Sequence, residues 1–217
     1  MLQITKLTKQ FKAGRPVFSD VDFTFEPGRA VGIVGPNGSG KTTFLRVLSV
    51  NSFPTSGHVY WKETDIHKQP YHYLKEVGLV HDEESLPRHL TAMELLEWVL
   101  RSREQWSEDS KERIRHLLDR LALEQRDEPL GTYSTGMKKK VQIAAAFIIQ
   151  PDLLILDEPL RGLDKESYGE VLAMINQAKE EGVLILMASH TTGSGSDLFD
   201  ETVTFPLLQE RKPSIFD

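Results

Sequence analysis

The stretch GPNGSGKTT, Gly35–Thr43, combines glycines, a lysine and hydroxyl side chains, and it follows the apolar run VGIV. Its three glycines allow backbone conformations closed to other residues, so successive N–H groups can turn inward. Together with the N-terminus of a following helix, these N–H groups would form a cradle for phosphate oxygens. Lys41 would reach the β- and γ-phosphates of a nucleotide, and the Thr42 hydroxyl would bind Mg²⁺. The stretch therefore predicts a nucleotide phosphate site.

A second pair of candidate residues ends another apolar run, LLILDEP, Leu153–Pro159. Asp157 would lie at the end of a buried strand, where it could hold Mg²⁺ through water. Glu158 follows where the chain leaves the sheet, so it could face the γ-phosphate and orient the attacking water. Acidic residues after strands are often only solvated loop residues, but the phosphate loop favours the catalytic interpretation.

The pattern of apolar residues predicts the elements that position these side chains. Residues 1–30 alternate between apolar and polar, which indicates antiparallel strands. LLILD and VLILMAS are continuous apolar runs, typical of parallel strands covered on both faces. Residues 85–130 have helical spacing, and Thr91 with Glu94 predicts a capping box. We expect one domain over 1–217, with an α/β core (1–84 and 130–217) and a helical insertion (85–129).

Composition narrows the class of protein. The chain has 217 residues, enough for one large α/β domain. Its net charge of −6 argues against nucleic acid as a partner, because phosphate backbones usually require a basic surface. It has no cysteine, which excludes disulfides and thiolate chemistry. The N-terminus lacks a signal-peptide core, and the longest apolar run, Ile143–Ile149, is too short to span a membrane. We expect a cytosolic protein that meets a membrane only through a partner.

The stretch TYSTGMKKKVQ, Thr132–Gln142, lies between these motifs and predicts a capped helix over about residues 135–149. Three consecutive lysines, Lys138, Lys139 and Lys140, would face several directions around that helix. We expect at least two of them to be simply solvated.

In this order, the motifs resemble those of the nucleotide-binding domain of ATP-binding cassette (ABC) proteins. GPNGSGKTT resembles the family's phosphate loop, YSTGM its signature (usually Leu-Ser-Gly-Gly-Gln), and LLILDEP its second acidic motif. Asp164 ends LRGLD in the place of the Asp-containing loop, and His190 ends LILMASH in the place of the switch histidine. Phe11 lies where the family stacks an aromatic ring on adenine. The resemblance covers nearly the whole chain. It implies a P-loop NTPase core, a mostly parallel sheet with flanking helices, with an N-terminal antiparallel β subdomain and an inserted α-helical subdomain.

The resemblance also implies an ATPase that works as a head-to-tail dimer with ATP and Mg²⁺ as cofactors. In such a dimer, the signature belongs to the opposite subunit's ATP site. Glu158 would polarise a water, and His190 would contact the γ-phosphate. The residues implied for catalysis are Glu158, His190 and Lys41; for ATP binding Phe11, Gly35, Pro36, Asn37, Gly38, Ser39, Gly40, Lys41, Thr42, Thr43, Tyr133, Ser134, Thr135, Gly136, Met137 and Asp164; for the metal Thr42, Asp157 and Asp82.

The signature has a physical rationale in this position. Ser134 supplies a hydroxyl and can cap the following helix, and Gly136 lets backbone approach a γ-phosphate. The helix would then direct its positive end at the anion.

Two positions depart from the family. Asp82 stands where the family has a glutamine that senses Mg²⁺, so it would either retain that contact with altered Mg²⁺ dependence or be a plain loop acid. Leu160 and Arg161 stand where Thr or Ser is usual. Arg161 would form an interface ion pair or lie on the surface.

The variant signature and small size most resemble the ATPase subunits of bacterial ABC exporters. That implies an integral membrane permease as a separate chain, docked on the helical insertion, and a second nucleotide-binding domain, identical or paralogous. The protein would be cytoplasmic, on the inner face of the cell membrane. One alternative is a soluble, non-transport ABC ATPase, which usually has two cassettes or long coiled coils. The other is an unrelated phosphate-loop enzyme, although the Asn-Lys-x-Asp motif for guanine is absent from the sequence.

Overall fold

The computed structural model describes residues 1–82, 86–189 and 198–207, which form nine β-strands and six α-helices. His190 therefore lies outside the described residues. The strands are β1 (Leu2–Lys12), β2 (Arg15–Phe25), β3 (Ala30–Val34), β4 (Ser56–Trp61), β5 (Thr64–Asp65), β6 (Val77–Val80), β7 (Leu153–Asp157), β8 (Leu184–Ser189) and β9 (Glu201–Thr204). The helices are α1 (Lys41–Leu48), α2 (Pro70–Lys75), α3 (Ala92–Ser102), α4 (Ser110–Arg120), α5 (Thr135–Phe147) and α6 (Lys165–Glu180).

The N-terminal strands form an antiparallel sheet in the order β2-β1-β4-β5. Gly14, at φ 74°, lies in the turn between β1 and β2 and supplies a left-handed conformation that tight turns favour. Alternate residues of β1, such as Leu2 and Ile4, are buried, as period-two spacing requires. This confirms the antiparallel β subdomain predicted from residues 1–30.

The second sheet has the order β6-β7-β8-β3-β9, and its described pairs are all parallel. β3 and β7 flank β8, and their ends lie in register with it, since Val34 pairs with Ser189 and Asp157 with Ala188. The two chemical motifs leave these strands at the same edge. Ligands of parallel α/β sheets bind at this carboxyl edge, so the topology brings the motifs together.

Both faces of the parallel sheet are covered, which explains its continuous apolar strands. Leu153 and Ile155 of β7 pack in a cluster with the antiparallel sheet and α1. Leu154 and Leu156 point the other way, into a cluster formed with α3 to α6. The sheet thus fixes the ends of β3 and β7 from both sides.

The helical insertion consists of α3 and α4. Thr91 caps α3: its hydroxyl accepts from the Glu94 N–H at 3.1 Å, and the Glu94 carboxylate accepts from the Thr91 N–H at 2.8 Å. This capping box confirms the prediction. The apolar faces of α3 and α4 pack in the same hydrophobic cluster as α5. The boundaries predicted for the insertion, residues 85–129, stay a prediction. Among the described residues, no helix has the length and apolar character needed to cross a membrane.

Candidate functional site

The phosphate loop joins β3 to α1 with the backbone conformations its glycines predict. Gly35, Gly38 and Gly40 have φ values of 148°, 75° and 108°, which L side chains rarely adopt. A Cβ at Gly40 would lie 2.6 Å from the Val17 side chain, and one at Gly35 would lie 2.6 Å from the Phe205 carbonyl oxygen. The loop therefore has both the φ values and the tight surroundings that require glycine.

The loop has the donors that a phosphate needs. Gly40 is the N-cap of α1 and offers no side chain to cap the first N–H groups of the helix, so these can face an anion. Among the described residues, the buried Ser39 hydroxyl has no hydrogen-bond partner. Lys41 is 5% exposed, and its ammonium donates to the carbonyls of Gly35 at 2.7 Å and Pro36 at 3.1 Å. The positive charge thus lies inside the loop, and the residues present fit a phosphate group.

Asp157 ends β7 close to the start of α1, where it hydrogen-bonds to Thr42. It is 3% exposed, and this burial raises the pKa of its carboxyl group. The bond from Thr42 opposes that shift, whereas the nearby charge of Asp82 adds to it. A hydroxyl and a carboxylate side by side are oxygen ligands of the kind that suits Mg²⁺, which usually keeps waters and phosphate oxygens as its other ligands. Within residues 1–82, 86–189 and 198–207, no group of three or more acidic or histidine side chains is placed to hold a metal ion.

Glu158 lies directly after β7 in a left-handed conformation, with φ at 49°. Residues with a side chain seldom adopt this conformation, which the surrounding structure must stabilise. The Glu158 N–H donates to the Ala188 carbonyl at 3.3 Å, which anchors the turn to β8. The side chain is 9% exposed and lines the cavity beside the phosphate loop.

The cavity at this edge has a volume of about 730 Å³. It brings the phosphate loop together with acidic side chains from two distant parts of the chain. Its lining residues are Val17, Asn37, Gly38, Gly40, Lys41, Thr42, Thr43, Asp82, Glu158 and Arg161.

The signature lies at the N-terminus of α5 and is not part of this cavity's lining. The Ser134 hydroxyl accepts from the Met137 N–H at 3.2 Å, so Ser134 caps the helix as predicted. Ser134 and Thr135 are exposed, whereas Tyr133 is buried and its hydroxyl donates to the Gln125 carbonyl. A Cβ at Gly136 would lie 3.1 Å from the Gly162 carbonyl oxygen. The signature therefore presents its cap outward, in contact with the loop before α6.

The prediction that at least two of the three lysines are solvated is wrong. Lys139 and Lys140 are 4% and 8% exposed. The Lys139 ammonium donates to the His81 carbonyl at 3.0 Å, and the Lys140 ammonium lies 3.0 Å from an Asp164 carboxylate oxygen. Long lysine stems can be buried along apolar surface when the ammonium reaches a partner. These two lysines tie the signature helix to the loops around the cavity.

Asp164 caps α6 and does not line the cavity of its own chain. Its carboxylate accepts from the N–H and the hydroxyl of Ser167, both at 2.9 Å. The bond from the Ser167 N–H, together with Lys140 and the Ser167 hydroxyl, holds the pKa of Asp164 below its usual value. The Asp-containing loop is thereby fixed to both α5 and α6.

Phe11 is 70% exposed near the end of β1, and the Lys9 ammonium lies 4.8 Å from the centre of its ring. The structure does not place it in the cavity lining. An exposed ring near the end of a strand is accessible for stacking on a base.

Sequence reasoning missed some residues that surround the cavity. Val17 reaches it from β2, and nothing in its local pattern distinguishes it from other strand residues. Arg161, expected at an interface or on the surface, is 68% exposed, and its guanidinium lies 3.6 Å from the Asp82 carboxylate and 3.7 Å from that of Glu158. The departures from the family at Asp82 and Arg161 were the signal that could have paired them.

Together, the fold and the cavity define a nucleotide-hydrolysing protein of the phosphate-loop class. A sequence model of the family described as ABC transporter matches residues 18–161. The chain belongs to this family and is an ATP-binding subunit with ATPase activity.

Relatives of this chain span several kinds of transporter. The arginine transport ATP-binding protein ArtM of Bacillus subtilis is 30% identical, covering 94% of this chain and 86% of ArtM. The L-cystine import ATP-binding protein TcyC of the same organism is 31% identical, covering 94% and 85%. The linearmycin resistance ATP-binding protein LnrL, also from Bacillus subtilis, is 30% identical, but this chain spans only 61% of its length and the match covers 88% of this chain. A solved ATP-binding subunit of an ABC transporter superposes with a TM-score of 0.89 at 26% identity, covering 96% of this chain and 87% of that one.

Proposed function

We propose that this chain hydrolyses ATP at two composite sites, each formed by the phosphate loop of one copy and the signature of another. The observation that carries the proposal is the location of the signature. Ser134 and Thr135 are exposed at the N-terminus of α5, outside the cavity that holds Lys41 and Glu158. A second chain, identical or paralogous, would complete each site by head-to-tail pairing, since two such contacts close a symmetric dimer.

The residues of the cavity have distinct roles in this proposal. Loop N–H groups and Lys41 bind the phosphates, because donors and positive charge already converge there. Thr42 and Asp157 would hold Mg²⁺, with Asp82 near enough to influence it, and the ion would neutralise charge that develops on the phosphates. Glu158 accepts a proton from the attacking water and orients it. The signature helix directs its N-terminus at the γ-phosphate bound by the partner copy. His190 would complete the γ-phosphate contacts, and Phe11 would stack on the adenine.

A groove between the core and the helical insertion supports a partner of a different kind. It has a volume of about 660 Å³ and lies between β6, α3 and α5. Trp98 lines it and is 62% exposed, an unusual position for the largest apolar side chain. We propose that an integral membrane permease inserts a helix here, so that the protein is held at the inner face of the membrane by its partner, with no direct membrane or nucleic-acid contact.

The direction of transport is the most specific part of this proposal. The signature variant YSTGM, Tyr133–Met137, favours an exporter by resemblance. Relatives at about 30% identity include both an import protein and a resistance protein, so similarity at this level does not separate the directions. Flux of candidate compounds through the purified complex in vesicles would decide between export and import.

Affinity purification from the native cell tests the transporter assignment. The chain is tagged, membranes are solubilised in mild detergent, and the proteins that co-purify are identified. A multi-span membrane protein in a ratio near one to one is the expected result. Recovery from the cytosol alone, with ribosomes, nucleic-acid enzymes or no companion, would contradict it and favour a soluble ATPase.

A further inference from the structure

The two positions that depart from the family lie against each other at the mouth of the cavity. Nη1 of Arg161 lies 3.6 Å from Oδ1 of Asp82 and 3.7 Å from Oε2 of Glu158. All three side chains line the cavity. The guanidinium therefore bridges the loop after β6 and the turn after β7.

The backbone around Arg161 brings this bridge about. Glu158, at φ 49°, starts a tight turn, and the Arg161 N–H donates to the Glu158 carbonyl at 3.3 Å. Gly162, at φ 79°, lets the chain continue toward α6. The turn returns the Arg161 side chain to the carboxylate from which the turn began.

The charged side chains around the cavity indicate what the Arg161 bridge could do. Asp82, Asp157 and Glu158 place three carboxylates near the position of nucleotide phosphates, which are themselves negative. Of the residues that line the cavity, Lys41 and Arg161 carry positive charge, and Lys41 lies within the phosphate loop. Arg161 thus places a cation beside Asp82 and Glu158.

We propose that Arg161 is a positioning residue of the ATPase reaction, which holds the Glu158 carboxylate toward the cavity and offsets the charge of Asp82. The Glu158 side chain is 9% exposed, so it has few orientations open to it. A guanidinium beside its carboxylate then favours the orientation in which the two groups meet. The inference rests on the proposed role of Glu158 as the residue that orients water.

The competing explanation is an ion pair without consequence. Arg161 and Asp82 are 68% and 46% exposed, and exposed pairs often contribute nothing measurable. A double-mutant cycle separates the two explanations, because only a functional pair shows non-additive effects on turnover.

Steady-state turnover and KM for ATP are measured on the purified full-length chain and on Arg161→Gln, Arg161→Lys, Asp82→Gln and the double variant Asp82→Gln/Arg161→Gln. Arg115→Gln is the matched control, since Arg115 is exposed on α4, away from the cavity. Arg161→Gln should lower kcat about fivefold with little change in KM, and Arg161→Lys should retain kcat within about twofold. In the Asp82→Gln background, the loss from Arg161→Gln should shrink to about twofold.

Two results would overturn the inference. One is a kcat for Arg161→Gln equal to that of the native chain. The other is an equal loss from Arg161→Gln in both backgrounds. The variant Glu158→Gln separates this failure from a failure of the proposed function. If Glu158→Gln keeps native turnover, the role proposed for Glu158 itself is wrong. If Glu158→Gln abolishes turnover while Arg161→Gln leaves it unchanged, only the role of Arg161 is wrong.

Discussion

At the scale of single residues, Asp157, the proposed metal ligand, carries a cost in stability. Its carboxylate is buried at the end of β7, and burial raises its pKa above the usual value of 3.8. At neutral pH the folded protein therefore holds a carboxylate in a place that disfavours its charge. A buried carboxylate with a raised pKa, at the edge of a cavity, marks a candidate functional site.

Replacing Asp157 by Asn should stabilise the protein without nucleotide while abolishing turnover. We expect a gain of about 1 kcal/mol in the free energy of unfolding at pH 7, because the buried charge is removed. Protonation removes the same charge in the native chain, so the difference should vanish as the pH falls below the usual Asp pKa. Thermal unfolding of both proteins across pH measures this; an Asn variant less stable at pH 7 would contradict the account.

Asp82 offers a second prediction at this scale. Asp82→Gln removes one negative charge at the cavity and leaves Arg161 without its Asp82 partner. Positive charge near the metal site should then weaken Mg²⁺ attraction, so the Mg²⁺ concentration for half-maximal turnover should rise about two- to fivefold. Mg²⁺ titration of ATPase activity tests this. Unchanged Mg²⁺ dependence and unchanged turnover would make Asp82 a plain loop acid.

At the scale of elements, the ends of strands and helices determine where the chemistry lies. β3 and β7 end in register on either side of β8, and α1 and α6 begin just beyond them. Packing on both faces of the sheet holds these strand ends in place. The residues that line the cavity at these ends are therefore positioned by the rigid core.

The cap of α3 gives a prediction for the helical insertion. Thr91→Ala removes the hydroxyl that accepts from the Glu94 N–H, which should cost about 1 kcal/mol. We expect a fall in the melting temperature of about 2–4 °C for a chain of this length. Thr91→Ser keeps the hydroxyl and is the matched control. Equal melting temperatures for the Ala variant and the native chain would show that the cap contributes nothing.

The sequence predicted those elements that are encoded locally. Continuous apolar runs located β7 and β8, alternation located the antiparallel strands, and spacing of Ser134 located the cap of α5. It failed for Lys139 and Lys140, because their partners, the His81 carbonyl and Asp164, come from other parts of the chain. The pattern of one helix shows the directions its side chains take but not what another loop places there.

At the scale of the whole molecule, the proposed dimer requires each chain to carry two halves of a site on separate surfaces. The cavity contains Lys41 and Glu158, whereas the signature with Ser134 faces outward at the N-terminus of α5. The loop at Asp164 connects them through Lys140. ATP between two copies would join both halves twice, and its hydrolysis would separate the copies again.

This arrangement predicts complementation between two inactive variants. Lys41→Ala removes the lysine of the phosphate loop and leaves the signature intact. Gly136→Asp introduces a negative side chain into the signature and leaves the phosphate loop intact. In a mixed head-to-tail pair, the intact loop of one chain meets the intact signature of the other, which restores one site of two.

The most direct measurement is therefore the ATPase activity of an equimolar mixture of Lys41→Ala and Gly136→Asp. Each variant alone should be inactive. Because half of the pairs are mixed and each mixed pair has one competent site, the mixture should recover about a quarter of native activity. A mixture as inactive as its components would contradict a site shared between two copies.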